Sequence, residues 1–251
     1  MAKYIGRQFW GIKDYDLFYR SCEGIRESLA TGDDGTHMSD QLITISRNLT
    51  FMWDGDDDFN RSFAAHTADA SERALIWRKA VHYWAGCHCI KLDGDFVECG
   101  VWKGTTVHVI YDALNFGASG KTYWLYDIFE FKEGDLHHAL DGLEAGLYEK
   151  VKERFSFASN VNIIQGYIPE SFKKGTPERV SLLHIDMNNA PAEIAALDEL
   201  WDKVVPGGIV LLDDFGWTGY VDQTVAELEF FKLRDYHVLE LPTGQGLVIK
   251  R

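Results

Sequence analysis

The chain has 251 residues, 46% hydrophobic and 25% charged, the proportions of a globular chain long enough to bury a large core. Lys and Arg number 25 against 39 Asp and Glu, a formal charge of −14. That balance excludes a general nucleic-acid binder or a binder of anionic membrane surfaces, because both need a cationic face.

Aromatic residues make up 14% of the chain, with eight Trp, which suits a thick core or a pocket for a flat ligand. Cys22, Cys87, Cys89 and Cys99 include one C-x-C pair and no second pair at zinc spacing, so reduced thiols of a cytoplasmic protein are expected. No charged-then-apolar leader and no apolar run near ~20 residues is present, so neither a signal peptide nor a membrane span is expected. The sequon Asn48-Leu49-Thr50 is read as chance.

In the first part of the chain, Phe18, Cys22, Ile25 and Leu29 fall on one face of a helix. Gly32 and the turn Asp33-Asp34-Gly35 end it. Asp54-Gly55-Asp56-Asp57-Asp58 resembles the start of a calcium loop, but Phe59 stands where Gly is needed and Ala65 where Glu is needed. A solvated acidic loop is expected instead. A second helix is predicted over 67–85, with Ala70, Ala74, Trp77, Val81 and Trp84 as its apolar face and Gly86 as its stop. We take residues 1–66 as a helical extension or lid and residues 67–251 as the core domain.

From Phe96 the pattern alternates. Strands are predicted at Phe96-Val97, 122–126, 161–164, 181–185 and 209–212. Between them fall a helix from Thr105, a long helix with Leu136, Leu140, Leu143, Leu147 and Val151 in register, and helices over 192–203 and 221–232. Strands over 236–241 and 247–250 close the chain as a hairpin through Pro242-Thr243-Gly244-Gln245-Gly246. The expected fold is α/β: a Rossmann-like, doubly wound, mostly parallel seven-stranded sheet with a C-terminal antiparallel hairpin and an N-terminal helical lid.

Ligands of such sheets bind beyond the carboxyl ends of the strands, so the residues after each strand matter most. The first strand runs into Glu98-Cys99-Gly100 and reaches a helix through Gly104. Gly100 and Gly104 let the backbone approach a ligand at a helix N-terminus, and Glu98 suits a cationic amino group. The dinucleotide pattern G-x-G-x-x-G is absent, which argues against an oxidoreductase. Asp127 ends the second strand and suits a ribose diol, with a helix cap or loop acid as the plain alternative. Asp186 follows the fourth strand, and Asp213 and Asp214 follow the fifth. Three converging carboxylates need a counter-ion, and their hard oxygens suit Mg²⁺ or another hard divalent cation; the plain alternative is a turn cap.

The string Gly94-Asp95-Phe96-Val97-Glu98-Cys99-Gly100-Val101-Trp102-Lys103-Gly104 resembles the first motif of the macrocin O-methyltransferase (TylF-type) family. These are class I S-adenosylmethionine-dependent enzymes that methylate sugar hydroxyls. Three later stretches agree with it: Leu183-His184-Ile185-Asp186, the run from Pro206 to Gly216 and the closing run from Thr243 to Lys250. The resemblance implies that Glu98 and Gly100 line the methionine end of S-adenosylmethionine, with Gly104 also among the cofactor-binding residues. It implies further that Asp127 holds the ribose, that Gln165 and Gly166 lie near the adenine, and that Asp186, Asp213 and Asp214 bind magnesium. The metal would grip two neighbouring acceptor oxygens and lower the pKa of the attacking hydroxyl.

Two departures stand out. The family continues after the strand-four Asp with Gly-Asp-Leu-Tyr or similar, where this chain has Met187-Asn188-Asn189-Ala190. A catechol-type enzyme carries a lysine at the position of Asn189. The general base is therefore open among Asp186, a metal-bound hydroxide and His137 or His138. Thr67 and Arg73 lie in a stretch that could touch the cofactor, and Trp53, Trp102 and Trp217 are candidates for an aromatic wall, with packing as the plain alternative. The resulting expectation is an O-methyltransferase of a small hydroxylated acceptor, with no nucleic-acid or membrane partner and with homodimer contacts through the N-terminal segment. The alternative is a cofactor-binding or interaction protein on the same fold that has lost its chemistry.

Overall fold

Asp14 starts the first helix: its side chain accepts from the Leu17 amide at 2.9 Å, and α1 runs over Tyr15–Ser28. The computed structural model describes residues 9, 11–29, 37–47, 57–68, 70–135, 143 and 145–251. The predicted turn at 32–35, the sequon at 48–50, Trp53, and His137 and His138 lie outside them. Cys22 is buried from α1 beside Phe9 and Met38, with Phe18 packed against them. Met38 belongs to a small antiparallel pair, β1 (His37–Ser39) and β2 (Leu42–Thr44).

The acidic run is not a loop where it is described. α2 (Asp57–His66) starts within it, and Asp58 lies in the first turn, where an acid favours the positive end of a helix. Phe59 and Phe63 of α2 pack against Ile76, Ala80 and Val109. The helix predicted over 67–85 is broken into α3 (Ala70–Arg73) and α4 (Ile76–Cys89). Asp40 explains the new start. From the β1–β2 turn its carboxylate accepts from the Trp77 and Arg78 amides at 2.9 and 3.0 Å, and its own amide donates to the Ala74 carbonyl. The break rotates the buried face to Ile76, Arg78, Lys79, Ala80, His82, Ala85 and Cys89, and leaves Trp84 56% exposed. Gly86 does not stop the helix; a Cβ there would lie 2.7 Å from Leu114 Cδ1, so it is the site of close helix packing. Asp40→Ala should lower stability by about 1–2 kcal/mol, a fall in melting temperature of roughly 2–8 °C by calorimetry.

The order of the alternating elements follows as expected, with the strand predicted from 209 starting at Val204 and the strand predicted over 236–241 reduced to Leu239–Glu240. The strands are β3 (Asp95–Cys99), β4 (Tyr123–Asp127), β5 (Val161–Gln165), β6 (Val180–Ile185), β7 (Val204–Leu212), β8 (Leu239–Glu240) and β9 (Gly246–Ile249). The helices are α5 (Thr105–Ala113), α6 (Leu147–Arg154), α7 (Ala190–Leu200) and α8 (Val221–Lys232). Of the long helix predicted around 136–151, residues 136–142 are outside the described set, and the described helix begins at Leu147, after Gly146 at φ +94°. The first strand extends through Glu98 and Cys99, so Glu98 is a strand residue.

The seven-stranded sheet has the order β5-β4-β3-β6-β7-β9-β8, parallel except where β9 pairs antiparallel with β7 and β8. Side chains alternate between two cores. Phe96, Tyr123, Leu125, Leu182, Ile209 and Leu211 face α4, α5 and α6. Val97, Cys99, Tyr126, Leu183, Val210 and Leu212 face α7 and α8. The strand order reverses between β3 and β6, so their carboxyl ends open the crevice in which ligands of such sheets lie.

Candidate active site

At that crevice is a cleft of about 400 Å³, with Gly100, Trp102, Asp127, Gly166, Tyr167 and Asp186 in its wall. Gly100 makes it. Its φ is +91°, and a Cβ there would sit 1.8 Å from the Asp186 carbonyl oxygen. Only glycine allows the chain leaving β3 to pass over the end of β6. The Gly100 amide donates to the Tyr126 carbonyl and the Asp186 amide to the Cys99 carbonyl, each at 2.8 Å, tying three strand ends together.

Asp127 reaches the cleft, but its carboxylate already works for the protein. One oxygen accepts from the Val101 and Trp102 amides at 2.6 and 2.7 Å, the other from Phe129 at 2.6 Å. Three of its roughly four acceptor positions are thus engaged in holding the β3–α5 turn. Gly166 lines the cleft, and its amide donates to the Asp127 carbonyl at 2.9 Å. Gln165 is turned aside: its amide group donates to the Ile128 carbonyl at 3.2 Å. Gly104, at φ +72°, starts α5 against Phe155 and is not part of the cleft wall. Of the candidate aromatics, Trp102 lines the cleft and Trp217 does not. Thr67 is buried with its hydroxyl on the Phe63 carbonyl, and Arg73 Nε donates to the Thr67 carbonyl at 3.3 Å; neither belongs to the cleft wall.

A smaller polar chamber of about 70 Å³ lies under α4 and shares Gly100, Trp102 and Asp186 with the cleft. Glu98 is found here, not in the wall of the larger cleft. It shares a strand face with Phe96, turned toward α4, and is 2% exposed. His184 Nδ1 lies 3.2 Å from Glu98 Oε2, and His184 Nε2 lies 3.4 Å from Asp213 Oδ1. Burial works against a charge on His184, but the two carboxylates outweigh it and hold its pKa well above the usual histidine range. Burial lowers the pKa of His82, with which His184 makes an edge contact at 4.6 Å between ring centres.

Arg78 closes the chamber. Its Nη1 pairs with Asp213 Oδ2, with Asp214 Oδ1 at 2.9 Å and with the Asp213 carbonyl at 3.0 Å, and its Nη2 donates to the Thr243 carbonyl at 3.3 Å. Gln245 donates to Asp213 Oδ1 at 2.8 Å. Burial would raise the Asp213 pKa, yet Arg78 and His184 bring it far below the usual carboxylate range. Asp186 and Asp214 go the other way. Burial raises both, and the neighbouring carboxylates add to it, most strongly for Asp186.

Arg78 therefore supplies counter-charge to Asp213 and Asp214 from within the chain, and Asp186 is left outside that pairing. Among the described residues, two groups of three bring ligand atoms within 4.8 Å of one another: His82, Glu98 and His184, and His184, Asp186 and Asp213. Both contain His184, whose two nitrogens already face carboxylates. Neither group contains Asp214, which the sequence reading joined to Asp186 and Asp213.

The sequence reading did not single out Arg78, Lys79, His82 or Gln245. The signal was present: Arg78 and His82 stand four apart, a polar stripe on a helix with its apolar residues elsewhere.

A sheet reversing between β3 and β6, an antiparallel penultimate strand and a glycine turn over an acidic strand end define a Rossmann-like methyltransferase. The fold agrees with that of the O-methyltransferase NovP, at a TM-score of 0.59 and 19% identity over 71% of this chain and 81% of that one. The profile described as Macrocin-O-methyltransferase (TylF) matches residues 85–236, and the chain belongs to that family of S-adenosylmethionine-dependent O-methyltransferases. Among its relatives is the 8-demethyl-8-(2,3-dimethoxy-alpha-L-rhamnosyl)-tetracenomycin-C 4'-O-methyltransferase of Streptomyces olivaceus. It is 24% identical over 195 residues, 66% of this chain and 71% of that protein. Mycinamicin III 3''-O-methyltransferase of Micromonospora griseorubida is 24% identical over 184 residues, 61% of this chain and 72% of that protein.

Proposed function

We propose that this chain methylates a sugar hydroxyl of a secondary metabolite, with Asp186 as the general base. The observation that carries the reading is the place of Asp186. It is half-buried where the cleft meets the polar chamber, and among the described residues no hydrogen bond reaches its carboxylate. Burial and then Asp213 and Asp214 raise its pKa, which makes it a stronger proton acceptor than an ordinary carboxylate.

S-adenosylmethionine, when bound, supplies the methyl group on a cationic sulfonium. Gly100, Asp127 and Gly166 would hold it in the larger cleft, and the excess carboxylate charge around Asp186 favours a cation there. Glu98 would act from below, through His184 and the chamber, and Gln165 and Gly104 would shape the turns beside it. The sugar substrate is supported by the two relatives, whose names place their methyl groups on sugar positions.

The divalent ion that the resemblance implies does not fit the donor set at Asp186, Asp213 and Asp214. Arg78 already pairs with Asp213 and Asp214, and both Asp213 oxygens have protein partners. No step of this reading goes through a metal.

Residues 1–66 are proposed to serve as a cover for the site, supported by the grip of Asp40 on the start of α4, although α2 also packs on the core. Self-association is supported by an exposed apolar stripe on α8, Val221, Val225 and Leu228. A cytoplasmic setting is supported by four cysteines that are all free thiols, and among the described residues no helix is long and apolar enough to cross a membrane.

Calorimetric titration with S-adenosylhomocysteine, followed by methyl-transfer assays on a panel of deoxysugar glycosides, tests the reading. Micromolar binding and methylation of a sugar hydroxyl are expected. Tight cofactor binding with no transfer to any glycoside would overturn the assigned substrate class.

A further inference from the structure

Carboxylates gathered at the ends of β6 and β7 need positive charge close by, and helix α4 delivers it. Arg78 is 8% exposed and its guanidinium makes four hydrogen bonds, three of them to Asp213 and Asp214. We infer that Arg78 holds the place a divalent cation would take between Asp213 and Asp214, so that this enzyme binds no metal ion at its strand ends.

Three observations support this. The guanidinium and the ion would compete for the same oxygens. Asp213 Oδ2 and Asp214 Oδ1 face Arg78, while Asp213 Oδ1 accepts from Gln245 at 2.8 Å and faces His184 at 3.4 Å. An ion would have to expel Arg78 or lie against a like charge in a desolvated site, where charge interactions are strongest.

The arginine is also placed by the fold and not by the aspartates alone. Its backbone amide donates to the buried Asp40 at 3.0 Å, which sets where α4 begins and which residues of α4 face the strand ends. Lys79, one residue on, is buried with its ammonium on the Glu72 carbonyl at 3.1 Å, so the start of α4 is also tied to α3.

The third observation is that His184, the one nitrogen donor of the group it forms with Asp186 and Asp213, is already committed to carboxylates. His184 stands in both nearby groups of three, and each of its nitrogens faces a carboxylate, at 3.2 and 3.4 Å. A metal ligand needs a free lone pair on neutral imidazole.

Arg78 is thus a positioning residue. It fixes the two β7-end aspartates and leaves Asp186 as the carboxylate open to the acceptor. The inference concerns the same site as the proposed activity, but it is read by ion binding, so failure of the sugar reading does not decide it.

The test is titration of Mn²⁺ into the full chain with S-adenosylhomocysteine present, the free ion followed by electron paramagnetic resonance. The unchanged protein should show no saturable binding at micromolar Mn²⁺. Arg78→Gln should gain one ion per chain with affinity raised by roughly tenfold or more. Arg78→Lys keeps the charge and should stay empty. Saturable binding of one ion by the unchanged protein overturns the inference. So does equal gain by the Lys and Gln variants, or no gain by a Gln variant with native circular dichroism. If the Gln variant does not fold, the unchanged protein and the Lys variant still decide the matter, because both must exclude the ion. With a chelator present, turnover of the unchanged enzyme should be unaltered.

Discussion

Gly100→Ala should abolish binding of S-adenosylhomocysteine and lower the melting temperature of the whole chain. The added Cβ would lie 1.8 Å from the Asp186 carbonyl oxygen and 2.5 Å from its carbon, both backbone atoms that no rotamer can move. Ala must also adopt φ near +91°, which an L side chain resists. Overpacking and backbone strain each cost about 1–3 kcal/mol, so a loss of roughly 2–6 kcal/mol is expected. At about 2–4 °C per kcal/mol for a chain of this size, the melting temperature should fall by roughly 4–24 °C. Relief would have to come from moving the β3–α5 turn or the end of β6. Either shift displaces Asp186 and releases the two amides that Asp127 accepts at 2.6 and 2.7 Å. Calorimetric titration and a thermal scan check this; an Ala variant that binds the cofactor product normally would show that the two strand ends do not approach as described.

Asp186→Asn should reduce kcat by about 10²–10⁴-fold, the usual contribution of a general base, while S-adenosylhomocysteine affinity changes little. The variant keeps the shape of the side chain and removes its ability to accept a proton. For the unchanged enzyme, burial and then Asp213 and Asp214 raise the Asp186 pKa well above its ordinary value of 3.8. The rate should therefore rise with pH through a range above that of ordinary carboxylates, and the Asn variant should lose that limb. Stability moves in the opposite sense. A carboxyl whose pKa is raised on folding binds its proton more tightly in the native chain, so its contribution falls as pH rises from about 4 through the folded pKa. Asp186→Asn should hence melt no lower than the unchanged protein at neutral pH, and its melting temperature should depend less on pH. A variant with full turnover would remove Asp186 as the base, and a variant that melts far lower would assign it a structural role instead.

The alternation of apolar strands and amphipathic helices from Phe96 onward was legible, and so was the closing hairpin. Each element there carries its own period and its own stop, and α8 matches its expected span residue for residue. The stretch before Phe96 was harder to read. The break between α3 and α4 has no proline to mark it; it comes from Asp40, a residue 37 positions from the Trp77 amide that it accepts. Gly86 carried the ordinary signature of a helix end, yet its reason is the approach of Leu114, the residue that follows α5. In the site, Asp127 and Asp186 were placed correctly at their strand ends because strand ends follow from local pattern. What Asp127 holds was not legible: one of its oxygens meets the amides of a turn about 25 residues earlier, whose path depends on the sheet.

By its residues alone the chain established an α/β sheet with acids at successive strand ends, and its motifs pointed to the methyltransferase family. Those features are written in short stretches whose neighbours along the chain are also their physical context. The charge balance of the site was decided only in three dimensions. Arg78 and Asp213 are 135 residues apart, and they meet because a distant aspartate sets where one helix begins. Glu98 turns inward because it shares a strand face with Phe96 under α4, and Asp186 reaches the cleft because it follows the end of β6 at the point where the strand order reverses. A row of carboxylates in a sequence calls for a positive charge without naming it; the fold supplies a buried guanidinium, since packing α4 against the sheet brings Arg78 to the aspartates and removes the water that would otherwise separate them.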